Sequence, residues 1–214
     1  MSSNIEIKLT PSGLHVPVKN NIFLHSAYDP IKEADNFLEK HINSLTTKDN
    51  ILVLGFGFGY HIDAIYNYCN QQNLSPNIFI LEPDQELISK AEELRSIKYA
   101  NLITFTNLTD LFNDIKFAAL LITKPYFLPH PASIASNETY FKNFLTFQAS
   151  QKTTDVTKYI QDISLSSTIA QLENTDEINK IFEMKNFLSK EDFLLCAFSE
   201  MKKQGRDLWK KYFL

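Results

Sequence analysis

The chain is poor in the residues that mark several classes of protein. Its 214 residues include only 2 cysteines, Cys69 and Cys196, which are too few for a disulfide framework and are expected to be buried thiols. Only 5 glycines and 8 prolines are present, while 44% of the residues are hydrophobic, and this excludes collagen-like, low-complexity and disordered chains. The length suffices for one full domain with an appendage.

Long apolar runs and an excess of basic residues are also missing. No stretch approaches the ~18 apolar residues of a membrane-spanning helix, and the first residues lack the basic flank and apolar core of a signal peptide. The 21 Lys and Arg against 25 Asp and Glu give a net charge of −4, which argues against unspecific binding to nucleic acid. We therefore expect a cytoplasmic protein with neither a membrane nor a nucleic-acid partner.

The first 50 residues predict a β-hairpin followed by a helix. Apolar and polar residues alternate on both sides of a turn at 11–13, so we assign 1–19 to a hairpin, with a short strand at 22–24 after it. Asp29 and Pro30 are typical of an N-cap and the first position of a helix. Apolar residues at steps of three and four then continue the predicted helix to residue 45.

From residue 51, short apolar runs alternate with helical stretches. The runs cover 51–54, 77–81, 102–105 and 118–122, and the helices cover 60–73, 84–96 and 108–114. Such runs are typical of buried parallel strands, so residues 20–150 predict an α/β fold with a Rossmann-like, doubly wound parallel sheet. Three prolines place 123–137 in a surface loop. The remainder from 138 predicts three or four helices, and 151–214 forms a C-terminal helical extension.

Three of the 5 glycines lie between the first predicted buried strand and the next helix. Glycine there permits a sharp turn and lets a ligand approach the backbone, and the amides that begin the helix would face that ligand. A dinucleotide fingerprint needs glycine at position 60, so this spacing favours S-adenosylmethionine or a simpler nucleotide over NAD. The predicted cofactor-binding residues are Gly55, Phe56, Gly57, Gly59, Tyr60 and His61.

An acidic residue follows the second predicted strand of the parallel sheet. A carboxylate at this place in the fold lies near the ribose of a bound nucleotide, so Glu82 is predicted to accept hydroxyl groups of the ligand. Pro83 stops the strand, and Asp84 is better placed to cap the following helix. The alternative is a domain that keeps the turn without a ligand, because a fold does not determine a function.

Two segments resemble the N-terminal domain of bacterial motility accessory factors. The first is Phe23-Leu24-His25-Ser26-Ala27-Tyr28-Asp29-Pro30 with Glu33-Ala34, and the second joins the glycine-rich segment to Leu81-Glu82-Pro83-Asp84. That family is associated with flagellin glycosylation. The resemblance therefore implies a stand-alone module that binds a nucleotide, nucleotide-sugar or S-adenosylmethionine-like ligand and is accessory to protein or surface glycosylation. The family's larger central domain has no counterpart in these 214 residues, so catalysis is not implied.

The same family is similar to Rossmann-type methyltransferases, which leaves two alternatives open. One is an S-adenosylmethionine-dependent methyltransferase, and the other is a ligand-free protein-interaction domain. The stretch 123–126 keeps the proline and tyrosine of an amine-binding turn but not its orienting group, so an amine acceptor is disfavoured. The predicted substrate-side residues are His25, Ser26, Lys124 and Tyr126. His25, His61 or His130 could supply a general base, no catalytic residue is assigned, and no cluster has the sequence spacing of metal ligands.

The C-terminal residues predict an amphipathic helix. Apolar residues recur at alternating steps of four and three from Leu194 to Tyr212, and basic residues occupy the opposite face. The apolar stripe either docks on its own domain or forms the interface with a second copy or another protein.

Overall fold

The computed structural model describes residues 4–149 and 207–214, with five isolated residues between them at 157, 163, 167, 170 and 171. It divides into two compact units, one formed by residues 1–106 and 126–138 and the other by 107–125 and 139–214. None of the helices in the described part has the length and apolar character that crossing a bilayer requires.

A small antiparallel sheet begins the first unit. Strand β1 (Ile5–Leu9) pairs with β2 (His15–Lys19), with Ile5 opposite Lys19 and Leu9 opposite His15. The short β3 (Ile22–Phe23) adds to the other side of β2. This confirms the predicted hairpin and the short strand after it, as the alternation of apolar residues indicated.

The helix predicted after the hairpin is shorter than the periodicity suggested. Helix α1 (Pro30–Glu39) begins where expected, because the carboxylate of Asp29 accepts the amide of Lys32 at 2.9 Å. It ends at Lys40, and a separate short helix α2 (Ile42–Leu45) follows. The single helix predicted to reach residue 45 is therefore wrong. His41 lies at the break, where its ring nitrogen Nδ1 is 2.9 Å from the hydroxyl of Tyr126.

The second sheet of this unit is parallel and has four strands. In chain order these are β4 (Asn50–Leu54), β5 (Asn77–Leu81), β6 (Leu102–Ile103) and β7 (Tyr126–Pro129), and their order in the sheet is β6-β5-β4-β7. Helices α3 (Tyr60–Gln71) and α4 (Gln85–Arg95) form the first two crossovers. Residues 51–54 of the central strand are fully buried. The Rossmann-like α/β class is confirmed.

The position of the fourth strand differs from the prediction. Residues 118–122 belong to helix α6 (Ile115–Ile122), which follows α5 (Leu108–Asn113), and the strand lies in the segment predicted as a loop. A buried helix and a buried strand share a uniformly apolar sequence, so periodicity cannot separate them here. Asp114 caps α6 through the amide of Phe117, at 2.7 Å. Pro129 is tolerated because β7 is one of the two edge strands of the described sheet.

Helix α7 (Pro131–Ser136) follows the last strand, and α8 (Glu138–Ala149) continues the chain into the second unit. Within that unit the rings of Phe117 and Phe144 are buried, with centroids 6.3 Å apart. Residues 207–213 are helical. Most of the predicted apolar stripe, from Leu194 to Gly205, lies outside the described residues, as does Cys196, while Cys69 is buried.

Candidate functional site

The carboxyl ends of β4 and β7 form the switch point of the parallel sheet. The chain continues from β4 outward through β5 and β6 on one side, and returns to the other side with β7. Ligands of such sheets bind outside the carboxyl ends of the strands at this point. The amide of His130 donates to the carbonyl of Leu54 at 2.9 Å, so the two strand ends are joined directly.

The glycine loop, residues 55–59, turns sharply at this position. Its three glycines have positive φ angles of 95°, 57° and 84° in chain order, which glycine adopts without a steric penalty. All five residues are buried, and protein side chains lie against each glycine. A Cβ on Gly55 would overlap Ser133, one on Gly57 would lie 2.6 Å from His25 Nε2, and one on Gly59 would lie 2.7 Å from the Tyr99 hydroxyl.

Glu82 is bonded to the glycine loop. Its carboxylate accepts the amides of Phe56 at 2.9 Å and Asp84 at 3.0 Å, with the Asn137 side-chain amide at 3.4 Å. Complete burial raises the pKa of Glu82 to about 7, against the lowering effect of the two backbone bonds. Both oxygens of Glu82 therefore have protein donors in the structure. The predicted hydrogen bonds from Glu82 to ribose hydroxyls stay a prediction.

Asp84 has the structural role that the sequence predicted. Its side chain accepts the amides of Glu86 and Leu87 at the start of α4, at 3.0 and 3.3 Å. It also forms an ion pair with Lys19 at 2.6 Å, in which both side chains are less than a tenth exposed. The hairpin strand β2 thereby reaches the carboxyl end of β5.

The segment from His25 to Pro30 attaches helix α1 to the glycine loop. The Ser26 hydroxyl accepts the amides of Tyr28 and Asp29 at 3.3 and 3.1 Å, and the Ser26 amide donates to Glu33 at 2.7 Å. One residue earlier, His25 Nε2 accepts the amide of Phe58 at 3.0 Å. The polar side chains of His25 and Ser26 thus bind backbone amides of the glycine loop and of the turn before α1.

Three histidines from distant segments meet at the switch point. The rings of His61 and His130 are stacked, with centroids 4.1 Å apart and planes 3° from parallel. The ring of His25 lies 4.9 Å from that of His130 and 5.5 Å from that of His61. One ring nitrogen of each lies within 4.8 Å of the others, and no ring is more than 4% exposed. The sequence named each histidine singly, and its spacing did not indicate a cluster.

Hydrogen bonds fix the proton position on two of these rings. His61 Nε2 lies 3.2 Å from the carbonyl of Gly55, and because a carbonyl only accepts, this nitrogen carries the proton. Its Nδ1 is buried and has no hydrogen-bond partner. His25 Nε2 accepts an amide, so its proton is on Nδ1, which faces Glu33 at 3.3 Å. His130 Nδ1 lies 2.7 Å from the hydroxyl of Ser133.

Burial keeps the three imidazoles neutral. Desolvation is the main cause that lowers the pKa of His25, although Glu33 opposes it through a hydrogen bond. Desolvation also lowers the pKa of His61 and of His130 well below the usual value, and repulsion from the neighbouring histidines lowers both further. At neutral pH the cluster therefore offers imidazole lone pairs rather than positive charge.

A cleft of about 530 Å³ opens against the histidine cluster. One wall is α1, which contributes the half-buried Phe37 and the exposed Lys32 and Lys40. The opposite wall is the start of α7, at Pro131 and Ala132. The volume falls within the range of about 300–1,000 Å³ that is common for sites of small molecules and cofactors.

The predicted substrate-side residues do not all reach this cleft. His25 and Ser26 line it, together with the predicted cofactor residue His61. Tyr126 bonds His41, and Lys124 belongs to the other compact unit. The stretch 123–126 leads into the fourth strand instead of leaving it, so its comparison with an amine-binding turn is wrong. The turn that leaves the fourth strand begins at His130.

Comparisons with known proteins leave the family open. No protein-family model matches the chain. No curated protein matches it either. Among solved structures it is similar to the crystal structure of MNMC2 from Aquifex aeolicus, with 14% identity and a TM-score of 0.39 over 94% of this chain and 86% of that chain. This similarity is too low to bear on function, and the resemblance to motility accessory factors stays an inference from sequence segments.

Proposed function

We propose that the protein is a Rossmann-like module that binds a nucleotide or nucleotide sugar in the cleft at the switch point. The cleft itself carries the proposal, because it is of suitable size and lies at the carboxyl ends of β4 and β7. Parallel α/β sheets bind their ligands at this place. A ligand like S-adenosylmethionine is the second candidate of the same class.

The chemistry of the cleft favours a ligand with an anionic end. The exposed Lys32 and Lys40 can bind phosphate or carboxylate oxygens. The two acidic residues of the lining, Asp29 and Glu33, already accept the amides of Lys32 and Ser26. The exposed side-chain amide of Asn36 also lines the cleft and can bond a hydroxyl or amino group of the ligand. Phe37 offers an apolar surface. A nucleotide or nucleotide sugar contains all three kinds of group.

The glycine loop supports the cleft from behind and is not the proposed contact surface. Its amides at Phe56 and Phe58 are bonded to Glu82 and His25, so neither is available to a phosphate. A ligand placed on the loop backbone would have to displace these side chains. The cleft needs no such displacement.

An accessory role in protein or surface glycosylation is supported only by the sequence segments that resemble motility accessory factors. A nucleotide sugar is the ligand that this role favours. Methyl transfer has less support, because the stretch 123–126 lacks the orienting group of an amine-binding turn and also precedes the fourth strand.

A ligand panel tests the proposal. Calorimetric titration and thermal shift with nucleoside phosphates, nucleotide sugars and S-adenosylhomocysteine should identify at least one ligand, and a ligand at 100 times its Kd stabilises the folded state by about 2.7 kcal/mol. The double variant Lys32→Ala/Lys40→Ala should weaken an anionic ligand about tenfold or more, since each lost charged hydrogen bond is worth about 1.5–3 kcal/mol. Lys48→Ala, at an exposed position outside the cleft, is the matched control. Failure of every compound, or equal binding by the double variant, would contradict the proposal.

A further inference from the structure

We propose that His25, His61 and His130 form a binding site for a divalent transition metal ion such as Zn²⁺, on the inner wall of the cleft. This inference goes beyond the proposed function, because it requires no small molecule in the cleft. Its basis is the meeting of three buried imidazoles from three segments, one nitrogen of each lying within 4.8 Å of the others.

The donor set suits some metals and excludes others. Neutral imidazole binds Zn²⁺, Cu²⁺, Ni²⁺ and Fe²⁺, whereas Mg²⁺ and Ca²⁺ prefer oxygen ligands. Three nitrogen ligands leave a further coordination position, as in catalytic zinc sites. The cleft borders all three histidines, so a metal ion has a path to the site and an external molecule can fill that position.

Each histidine also has one ring nitrogen that faces a protein oxygen. His61 donates to the carbonyl of Gly55, His25 faces the carboxylate of Glu33, and His130 lies beside the hydroxyl of Ser133. Metal-binding histidines have this arrangement, in which the outer partner fixes the tautomer and orients the ring.

The strongest single observation in favour of a metal site is the state of His61 Nδ1. It is an acceptor that is fully buried and unpaired, although buried polar atoms are normally satisfied. A metal ion would use its lone pair without any rearrangement of the proton on Nε2.

Two adjustments accompany binding. In a tetrahedral site with Zn–N bonds of about 2.0–2.1 Å, the ligand nitrogens lie about 3.3 Å apart, so nitrogens as far as 4.8 Å apart must approach each other. His25 must also exchange its bond with the Phe58 amide for the metal. The rings of His61 and His130 are stacked with their planes 3° from parallel, so one of the two must turn out of the stack before both lone pairs can reach one ion. A local shift of the glycine loop would release His25 from the Phe58 amide.

Metal titration of the whole chain tests the site. Tag-free protein, freed of metal with a chelator and without any small-molecule ligand, is titrated with Co²⁺ alone, and Zn²⁺ is then used as competitor. We expect one equivalent to bind with the visible absorption of a low-symmetry Co²⁺ site and to be displaced by Zn²⁺. His61→Gln and His130→Gln should each weaken binding by about tenfold or more. His15→Gln, at a half-buried histidine outside the cluster, should not.

Far-UV circular dichroism establishes that the variants are folded. If a variant does not fold, X-ray absorption of the Zn²⁺-loaded wild type counts the imidazole ligands directly. Three imidazoles support the site, and fewer than three overturn it. The site is also overturned if wild type binds no Co²⁺, or if both folded variants bind Co²⁺ as tightly as wild type does. The small-molecule panel is run on metal-free protein. The proposed ligand binding and the proposed metal site can therefore be refuted independently of each other.

Discussion

Replacing Glu82 by glutamine tests the electrostatics of the glycine loop. Glu82 is completely buried, and its pKa rises from an ordinary 4.5 to about 7. The folded protein therefore holds a proton on this carboxyl between pH 4.5 and 7 that the unfolded chain has released. Stability from this group is greatest at low pH and falls as the pH rises through that window.

The magnitude follows from the shift. One pKa unit corresponds to about 1.4 kcal/mol, and integration between pH 5 and 8 gives a loss of about 2–3 kcal/mol in wild type relative to a variant that does not ionise. Glu82→Gln places an amide group against one of the two backbone donors and loses a hydrogen bond, at a cost of about 1–3 kcal/mol. That cost does not depend on pH, so the change with pH isolates the ionisation.

Urea denaturation of both proteins at pH 5, 6, 7 and 8 measures this change. Wild type should be clearly more stable than Glu82→Gln at pH 5, and the difference should shrink or reverse by pH 8. Glu92→Gln, on the exposed face of α4, controls for the removal of one carboxyl group. A difference between wild type and Glu82→Gln that is the same at pH 5 and pH 8 would refute the raised pKa.

Two further predictions concern the same region. Gly57→Ala should lower the free energy of unfolding by about 2–4 kcal/mol, because it combines a positive φ with overpacking against a histidine nitrogen. Gly13→Ala, also at positive φ but in open space, should lower it by only about 1–2 kcal/mol. Equal losses for the two variants in urea denaturation would show that overpacking at Gly57 costs nothing. The lowered pKa values of His61 and His130 mean that the unfolded chain takes up protons below pH 6.5 that the folded protein does not. In the Glu82→Gln background, stability should therefore fall as the pH drops below 6.5, and a flat profile would contradict this.

The strands that sequence analysis located correctly are those with clear boundaries. The runs at 51–54 and 77–81 are short and apolar, the first is followed by Gly55 and the second by Glu82, Pro83 and the helix cap Asp84, and both are largely buried strands. The run at 118–122 has no such boundary, and Asp114, which caps it as a helix, was the signal that sequence analysis missed.

The site was only partly predictable. The glycine loop and Glu82 could be predicted because a strand, a turn and a second strand are consecutive along the chain. The histidine cluster could not be predicted in this way, because the pairing of β4 with β7 brings His61 to His130 and the contact of His25 with Phe58 adds the third ring. Spacing within one segment cannot reveal a site whose members lie on three segments. The cleft has the same origin.

The ion pair between Lys19 and Asp84 limits how this protein can be shortened. Both partners are almost fully buried, and removal of one partner of such a pair typically costs about 3–5 kcal/mol. A fragment that starts after β2 would lack Lys19, the positive partner of the Asp84 carboxylate, beside Glu82 at the carboxyl end of β5. The hairpin is therefore part of the smallest fragment worth expressing, and fragments intended for crystallisation should begin before β1.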